Sequence, residues 1–256
     1  MHKFSFFLTR SVQTTKIRYK NLLKDNLSGT YLQCFAELFY PKICIECNRS
    51  LWEDEKVLCH VCNSDLPRCE FSFYPDNRAE ALFKGRVEIQ LVSSLLYFKK
   101  KGMVQRMMHA LKYQGREDVG RYIGSMLGAE IRKSKRFASV DLILPVPLHP
   151  KKKRARGYNQ VSEFAHCLSE LLEVPVLEDA LLRKKSGRSQ TQKSRIARNR
   201  SLEDSFVIRD FKVLINKHIL VVDDIITSGA TMEMCARRIL EVQGTRVSLA
   251  SMAFTL

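Results

Sequence analysis

The stretch of residues 219–231 constrains this chain most, because it joins a strand pattern, two carboxylates and a small polar turn. Residues 219–222 are apolar and mostly β-branched, which predicts a short strand covered on both faces. Asp223 and Asp224 are expected to end that strand. Apolar residues then recur at helical spacing until Gly244, where a C-terminal glycine belongs. The stretch therefore predicts a strand, a loop and a helix, in that order.

The loop between this strand and helix has the chemistry of an anion site. Main-chain N–H groups at a helix N-terminus bind anions, and hydroxyl groups add further donors. Carboxylates repel an anion, so Asp223 and Asp224 are expected to accept hydrogen bonds from another part of the ligand. A phosphorylated sugar meets both requirements, and a plain surface turn after a buried strand is the alternative. The residues expected to hold the phosphate are Thr227, Ser228, Gly229, Ala230 and Thr231.

The charge of the chain is strongly basic and is concentrated in two segments. Lys and Arg outnumber Asp and Glu by 43 to 27 over 256 residues, which favours anionic partners such as phosphates or nucleic acid. Residues 151–156 and 183–200 together hold thirteen cations and no acid. We interpret residues 183–200 as a segment that is mobile until an anion orders it. Residues 151–156 are predicted to be a basic loop that either faces the same ligand or is simply solvated.

Four cysteines have the spacing of a metal site. Cys44 and Cys47 form one CxxC pair, and Cys59 and Cys62 form a second pair eleven residues later. Four thiolates in this arrangement predict a tetrahedral, structural Zn²⁺ site. Paired CxxC motifs also favour a reducing cytoplasm over a secreted disulfide framework. The other cysteines are interpreted as small buried residues.

The order of these patterns predicts the domain organisation. We expect a basic tail and helix over residues 1–37, a zinc lobe over 38–70 and a turn-rich linker over 71–90. Residues 91–256 are predicted to form an α/β domain, a mainly parallel sheet flanked by helices. No apolar run approaches the roughly 20 residues of a membrane span, so the protein is not expected to span a membrane.

Several separated motifs carry a family resemblance. Residues 145–150 read PVPLHP and are followed by RGYNQ at 156–160; a basic stretch over 182–199 and the 223–231 stretch come later. Residues 112–115 read KYQG. With a double CxxC in front, the chain resembles the ComF family, the competence-associated phosphoribosyltransferase-like proteins of the ComFC/GntX group. The 219–231 stretch resembles the phosphoribosyl pyrophosphate fingerprint of type I phosphoribosyltransferases.

The resemblance implies a type I phosphoribosyltransferase-like fold from about residue 38 onward, and a ligand for it. Asp223 and Asp224 would bind the ribose hydroxyls of phosphoribosyl pyrophosphate, accompanied by Mg²⁺, and residues 227–231 would bind its 5-phosphate. No catalytic residue follows from the resemblance. Candidates for the pyrophosphate side and the flexible loop are Lys112, Arg156, Tyr158, Asn159, Gln160, Arg188, Gln192 and Arg198.

Two functions follow from the resemblance. One is a phosphoribosyltransferase with an unknown acceptor, linked to nucleotide metabolism and to DNA uptake in natural competence. The other is a non-catalytic competence factor that binds single-stranded DNA, works with DNA-uptake proteins and uses the phosphoribosyl pocket for regulation. The thirteen clustered cations exceed what one small ligand needs, which keeps the second function open.

Overall fold

The computed structural model describes residues 42–184 and 206–255. The predictions for residues 1–37 and for Arg188, Gln192 and Arg198 lie outside these ranges. The helices are α1 (His60–Ser64), α2 (Arg78–Phe83), α3 (Met103–Tyr113), α4 (Asp118–Ser134), α5 (Pro150–Arg156), α6 (Ser162–Leu172) and α7 (Ala230–Leu240). The strands are β1 (Val92–Phe98), β2 (Leu142–Pro145), β3 (Leu181–Arg183), β4 (Phe206–Ile208), β5 (His218–Ile226) and β6 (Arg246–Thr255).

The centre of the fold is a parallel sheet of four strands in the order β1, β6, β5 and β2. Residues 218–222 of β5 are buried, as the apolar run predicts for a strand covered on both faces. Side chains of α3, α4 and α6 pack in one core cluster, and side chains of α2 and α7 pack in the other. The prediction of a mainly parallel sheet flanked by helices is confirmed.

A crevice opens at the carboxyl ends of β2 and β5. Pairing between these strands stops at Pro145 opposite Val222, whereas β5 continues beside β6 as far as Ile226 opposite Phe254. The expectation that the two aspartates end the strand was therefore wrong, because β6 continues to pair with them. From β2 the chain leads through α5 to α6, whereas from β5 it leads to α7, which packs in the opposite core cluster. Such a divergence between neighbouring parallel strands leaves a ligand crevice at their carboxyl ends.

The segment predicted as a linker contains a helix that packs into the core. Asn77 caps α2 by accepting from the N–H groups of Ala79 and Glu80, both at 3.0 Å. Phe83, at the end of α2, is fully buried. The sequence missed this helix because its six residues are too few to show a hydrophobic period. The domain boundaries themselves stay a prediction.

The cysteine-rich region shares a core with the α/β domain. Val57 and Leu58 are buried in the same cluster as residues of α3 and α4. Tyr122 of α4 donates its hydroxyl to Oδ1 of Asn63 in α1, at 2.7 Å. The region is therefore packed against α3 and α4 over an apolar surface.

The strands β3 and β4 form a separate antiparallel pair in which Arg183 lies opposite Phe206. Arg183 is the last residue of β3 and Phe206 is the first residue of β4, so the two residues flank residues 184–205. The guanidinium of Arg183 lies 5.4 Å from the ring centroid of Phe206, which is consistent with a cation–π contact. The pairing of β3 with β4 therefore holds together the two chain segments that flank this basic segment.

Candidate functional site

The loop between β5 and α7 presents free donors. Within residues 42–184 and 206–255, the N–H groups of Ser228, Gly229 and Thr231 donate to no protein atom. The N–H of Ala230 is 3.5 Å from the hydroxyl oxygen of Ser228, a long hydrogen bond. Thr227 and Ser228 are exposed. Unpaired N–H groups at a helix N-terminus attract anions, so the loop has the donors that the sequence predicted.

Gly229 gives this loop its shape. Its φ is +74°, a left-handed conformation that favours glycine. A Cβ added at this position would lie 2.8 Å from Cζ of the buried ring of Phe83. The loop can approach α2 this closely only because residue 229 has no side chain.

Arg86 ties the loop to the segment that the sequence predicted as a linker. Its Nη1 donates to the carbonyl oxygen of Ser228 at 2.8 Å, and its Nε donates to Oε2 of Glu233 at 2.9 Å. Arg237 donates to the other oxygen of Glu233 at 3.1 Å. The charge of Glu233, in the first turn of α7, is therefore paired with two arginines and turned away from the loop donors. Sequence reasoning missed Arg86, since no pattern around it distinguishes it from other surface arginines.

Asp224 is mostly buried and is held by two predicted site residues. Its Oδ2 lies 2.7 Å from Nζ of Lys112 and accepts from Nε2 of Gln160 at 2.9 Å. Lys112 comes from the last turn of α3, and Gln160 lies two residues before α6 begins. The structure thus brings together three residues that are up to 112 positions apart in sequence. A carboxylate with these partners keeps one oxygen available for a ligand hydroxyl.

Asp223 has a different environment. Asp223 directly precedes Asp224 in β5, and it interacts electrostatically with Cys235 of α7 and Arg183 of β3, on the opposite side of the sheet. Burial, followed by repulsion from Asp224, raises the pKa of Asp223, and the positive charges of Lys112 and Arg183 only partly offset this effect. The raised pKa of Asp223 favours its protonated form more than in an ordinary aspartate.

The basic segment after β2 forms helix α5, not the loop that the sequence predicted. His149 caps it by accepting from the N–H of Lys151 at 3.2 Å, Pro150 occupies its first turn, and Gly157 ends it with φ +82°. These are ordinary helix start and stop signals, and the high charge of the segment concealed them. No residue of α5 is buried, so its cations are accessible.

The end of α5 and the turn after it lie beside the carboxylates. Arg156, the last residue of α5, donates to Oε1 of Gln160 at 2.7 Å, and Gln160 in turn donates to Asp224. Tyr158 donates its hydroxyl to the carbonyl oxygen of Leu111, and Asn159 donates to that of Val146 at 3.3 Å. In this state Tyr158 and Asn159 hold the turn in place, and Arg156 and Gln160 face the carboxylates.

The four predicted metal ligands converge. The Sγ atoms of Cys44, Cys47, Cys59 and Cys62 all lie within 4.8 Å of one another. The Sγ atoms of Cys47 and Cys59 are 3.7 Å apart, close to the roughly 3.8 Å of a tetrahedral site with Zn–S bonds of about 2.3 Å. A hydrogen bond from Arg49 is the main cause that lowers the pKa of Cys59 to about 6, which favours the thiolate that binds metal. The cluster is consistent with structural zinc.

Comparisons with known proteins agree with this architecture. Residues 162–254 match the model of the phosphoribosyl transferase domain family. Competence protein F of Haemophilus influenzae is 27% identical over 207 residues, which cover 76% of this chain and 89% of that protein. Competence protein ComFC of Streptococcus pneumoniae is 28% identical over 77% of this chain and 86% of its own length. The DNA utilization protein YhgH of Escherichia coli K12 is 27% identical over 84% and 91%.

Among solved structures, the chain is similar to a glutamine phosphoribosylpyrophosphate amidotransferase from B. subtilis complexed with ADP and GMP. The TM-score is 0.40 at 20% identity, over 57% of this chain and 30% of that protein. An adenine phosphoribosyltransferase from Leishmania tarentolae matches with a TM-score of 0.35 at 11% identity, over 71% and 89%. No helix in the described part of the chain is both long and apolar enough to cross a bilayer.

Proposed function

We propose that this chain is a ComF-family protein and that it binds phosphoribosyl pyrophosphate with Mg²⁺ in the crevice at the carboxyl ends of β2 and β5. One observation carries the proposal. Two carboxyl groups with different partners immediately precede a loop of unpaired N–H groups, and an accessible basic helix follows the neighbouring strand. A ligand that joins a phosphate, a diol and a diphosphate matches these three features.

Each part of the ligand has a matching group. The N–H groups of Ser228, Gly229 and Thr231 would bind the 5-phosphate. Asp223 and Asp224 would accept hydrogen bonds from the ribose hydroxyls. Mg²⁺ would neutralise the diphosphate with oxygen ligands, and the cations of α5 would stabilise its remaining charge.

We further propose that the ligand reacts by transferring its phosphoribosyl group. The bond from the anomeric carbon to pyrophosphate breaks, and a bond to an acceptor nucleophile forms at the same carbon. Positive charge develops on the ribose and negative charge on the leaving pyrophosphate. Lys112 and Arg156 lie close enough to Asp224 to stabilise the leaving group electrostatically.

Calorimetry with phosphoribosyl pyrophosphate and Mg²⁺ tests the binding site. We expect the wild-type chain to bind and the double variant Asp223→Asn/Asp224→Asn to lose at least tenfold in affinity. Asp179→Asn is the matched control, because Asp179 is exposed and pairs with Arg209 at 3.5 Å outside the crevice. Equal affinity of the double variant and the wild type would refute the proposal. Release of pyrophosphate with candidate nucleobases or amines, absent in the double variant, tests transfer separately.

A single-stranded-DNA-binding function is the second candidate, favoured by the competence and DNA utilization names of the relatives and by the exposed cations of α5. Replacing Lys151, Lys152 and Lys153 by Ala should then weaken DNA binding and reduce its salt slope by about two. Replacing Arg132, Lys133 and Lys135 removes the same charge at the far end of α4 and serves as the control. An unchanged slope in the first variant would exclude α5 from a DNA interface. Alanine replacements of the cations in 183–200 extend the same test.

A further inference from the structure

A cavity of about 330 Å³ lies beside the proposed sugar site and shares Lys112, Lys152 and Arg156 with the proposed pyrophosphate side. It is formed by the end of α3, the turn that follows, and α5. Its volume falls at the lower end of the range for small-molecule sites, which suits one aromatic ring with an anionic group. The cavity is lined by Lys112, Tyr113, Gly115, Lys152, Ala155, Arg156 and Tyr158.

The lining offers a flat surface for stacking. The side chain of Tyr113 is 67% exposed, although aromatic rings are usually buried. The guanidinium of Arg156 lies 5.2 Å from the centroid of the Tyr113 ring. The His109 ring lies 5.0 Å from the same centroid, tilted by 46°. A planar heterocycle can extend a Tyr–Arg stack, since each base has a π-face that such side chains contact.

The charge of the lining selects an anion. Lys112, Lys152 and Arg156 contribute positive charge, and the lining includes no carboxylate. A phosphate monoester carries close to two negative charges near neutral pH, so it is well matched to these cations. Together, the stacking surface and the cations fit a base that is joined to a phosphate.

The cavity is connected to Asp224 by two contacts. Lys112 lines the cavity and also pairs with Oδ2 of Asp224 at 2.7 Å. Arg156 lines the cavity and reaches the same carboxylate through Gln160, with hydrogen bonds of 2.7 and 2.9 Å. An anion in the cavity competes with Asp224 for both cations. Occupancy of the cavity must therefore change how Asp224 interacts with a ligand of its own.

We propose that this cavity is a binding site for a free nucleoside monophosphate, whose base stacks on Tyr113 and whose phosphate contacts Lys152 and Arg156. The coupling to phosphoribosyl pyrophosphate rests on the proposed function, whereas nucleotide binding itself does not. By linkage, each ligand changes the affinity for the other by the same factor.

Calorimetry with adenosine 5′-monophosphate, in the absence of phosphoribosyl pyrophosphate, tests the site. We expect Tyr113→Ala to weaken binding at least fivefold, because the stacked ring is lost. The control is Tyr74→Ala, since Tyr74 is 61% exposed and lies outside the cavity. Lys152→Ala should also weaken binding, and Lys151→Ala should not, because only Lys152 lines the cavity. No binding at millimolar nucleotide, or equal affinity in Tyr113→Ala and the wild type, would overturn the proposal.

Further titrations separate this inference from the proposed function. Tyr113→Ala should lose nucleotide binding and keep phosphoribosyl pyrophosphate binding, and Asp223→Asn/Asp224→Asn should show the reverse. If the double aspartate variant loses nucleotide binding and Tyr113→Ala does not, the nucleotide occupies the sugar site. That result would overturn this inference and leave the proposed function standing. If saturating nucleotide leaves the affinity for phosphoribosyl pyrophosphate unchanged, the proposed coupling between the two ligands is overturned. Tighter Tyr113-dependent binding of a thymidine oligonucleotide than of the mononucleotide would overturn the assignment to a free nucleotide.

Discussion

Replacing Gly229 by alanine should destabilise the fold through two separate effects. The residue has φ +74°, and a left-handed conformation costs a residue with a Cβ about 1–2 kcal/mol. The new Cβ would also lie 2.8 Å from Cζ and 2.9 Å from Cε1 of Phe83, a fully buried ring. Overpacking of this kind costs about 1–3 kcal/mol, so Gly229→Ala should lose about 2–5 kcal/mol in total.

Gly85→Ala measures the backbone effect alone, so that the packing effect in Gly229→Ala can be obtained by difference. Gly85 has φ +75°, nearly identical to that of Gly229, but a Cβ added there meets no atom within 4 Å. It should therefore lose only the conformational part, about 1–2 kcal/mol. The measurement is urea unfolding at constant zinc, with the denaturant slope compared between variants to confirm that the same surface unfolds.

A double variant identifies Phe83 as the source of the clash. Phe83→Leu removes ring atoms near residue 229, so Gly229→Ala should cost less in that background than in the wild type. A loss in Gly229→Ala no greater than that in Gly85→Ala would refute the reasoning. Additive losses in the double variant would show that the ring of Phe83 is not what the new Cβ meets.

Three further predictions follow from the site. Arg86→Ala should weaken phosphoribosyl pyrophosphate binding about tenfold, because the loop loses the contact to the carbonyl oxygen of Ser228, whereas Arg238→Ala, which loses only an ion pair with Glu241, should bind normally in calorimetry. Cys59→Ser should lower the zinc content measured by mass spectrometry, and Cys69→Ser should leave it at wild-type level, since Cys69 is outside the cluster. Burial and Asp224 raise the pKa of Asp223 from 3.8 to about 8, so its contribution to stability is greatest below 3.8 and is lost as pH rises to 8. Unfolding free energy should therefore fall across this range in the wild type relative to Asp223→Asn, by at most about 1.4 kcal/mol per pH unit, and a difference that is independent of pH would contradict the assignment.

The sequence predicted the elements whose signals are local. The apolar run before Asp223 and the paired CxxC motifs are each patterns within a few residues, and the strand and the cysteine cluster that they predict are both confirmed. The dense charge of residues 151–156 favours a solvated loop in the sequence, because it leaves no apolar period. Pro150 and Gly157 are nevertheless local start and stop signals for helix α5.

The contacts that complete the site could not be predicted from the sequence. Arg86 and Phe83 lie in a segment without periodicity, and they act on residues more than 140 positions later through the packing of α2. The link from Arg156 through Gln160 to Asp224 depends on where β2 stops pairing with β5, which is a property of the sheet register. A single sequence carries no record of such distant pairs.

The adjacent aspartates of β5 have a consequence for how the site can change. Neighbouring residues on a strand point to opposite sides of the sheet, so Asp223 and Asp224 belong to different halves of the fold although one peptide bond joins them. Substitutions around α6 act mainly on Asp224, through Gln160, and substitutions around α7 and β3 act mainly on Asp223, whereas Lys112 of α3 acts on both carboxyl groups. A sugar held by both aspartates is therefore governed by two layers of the protein that Lys112 couples.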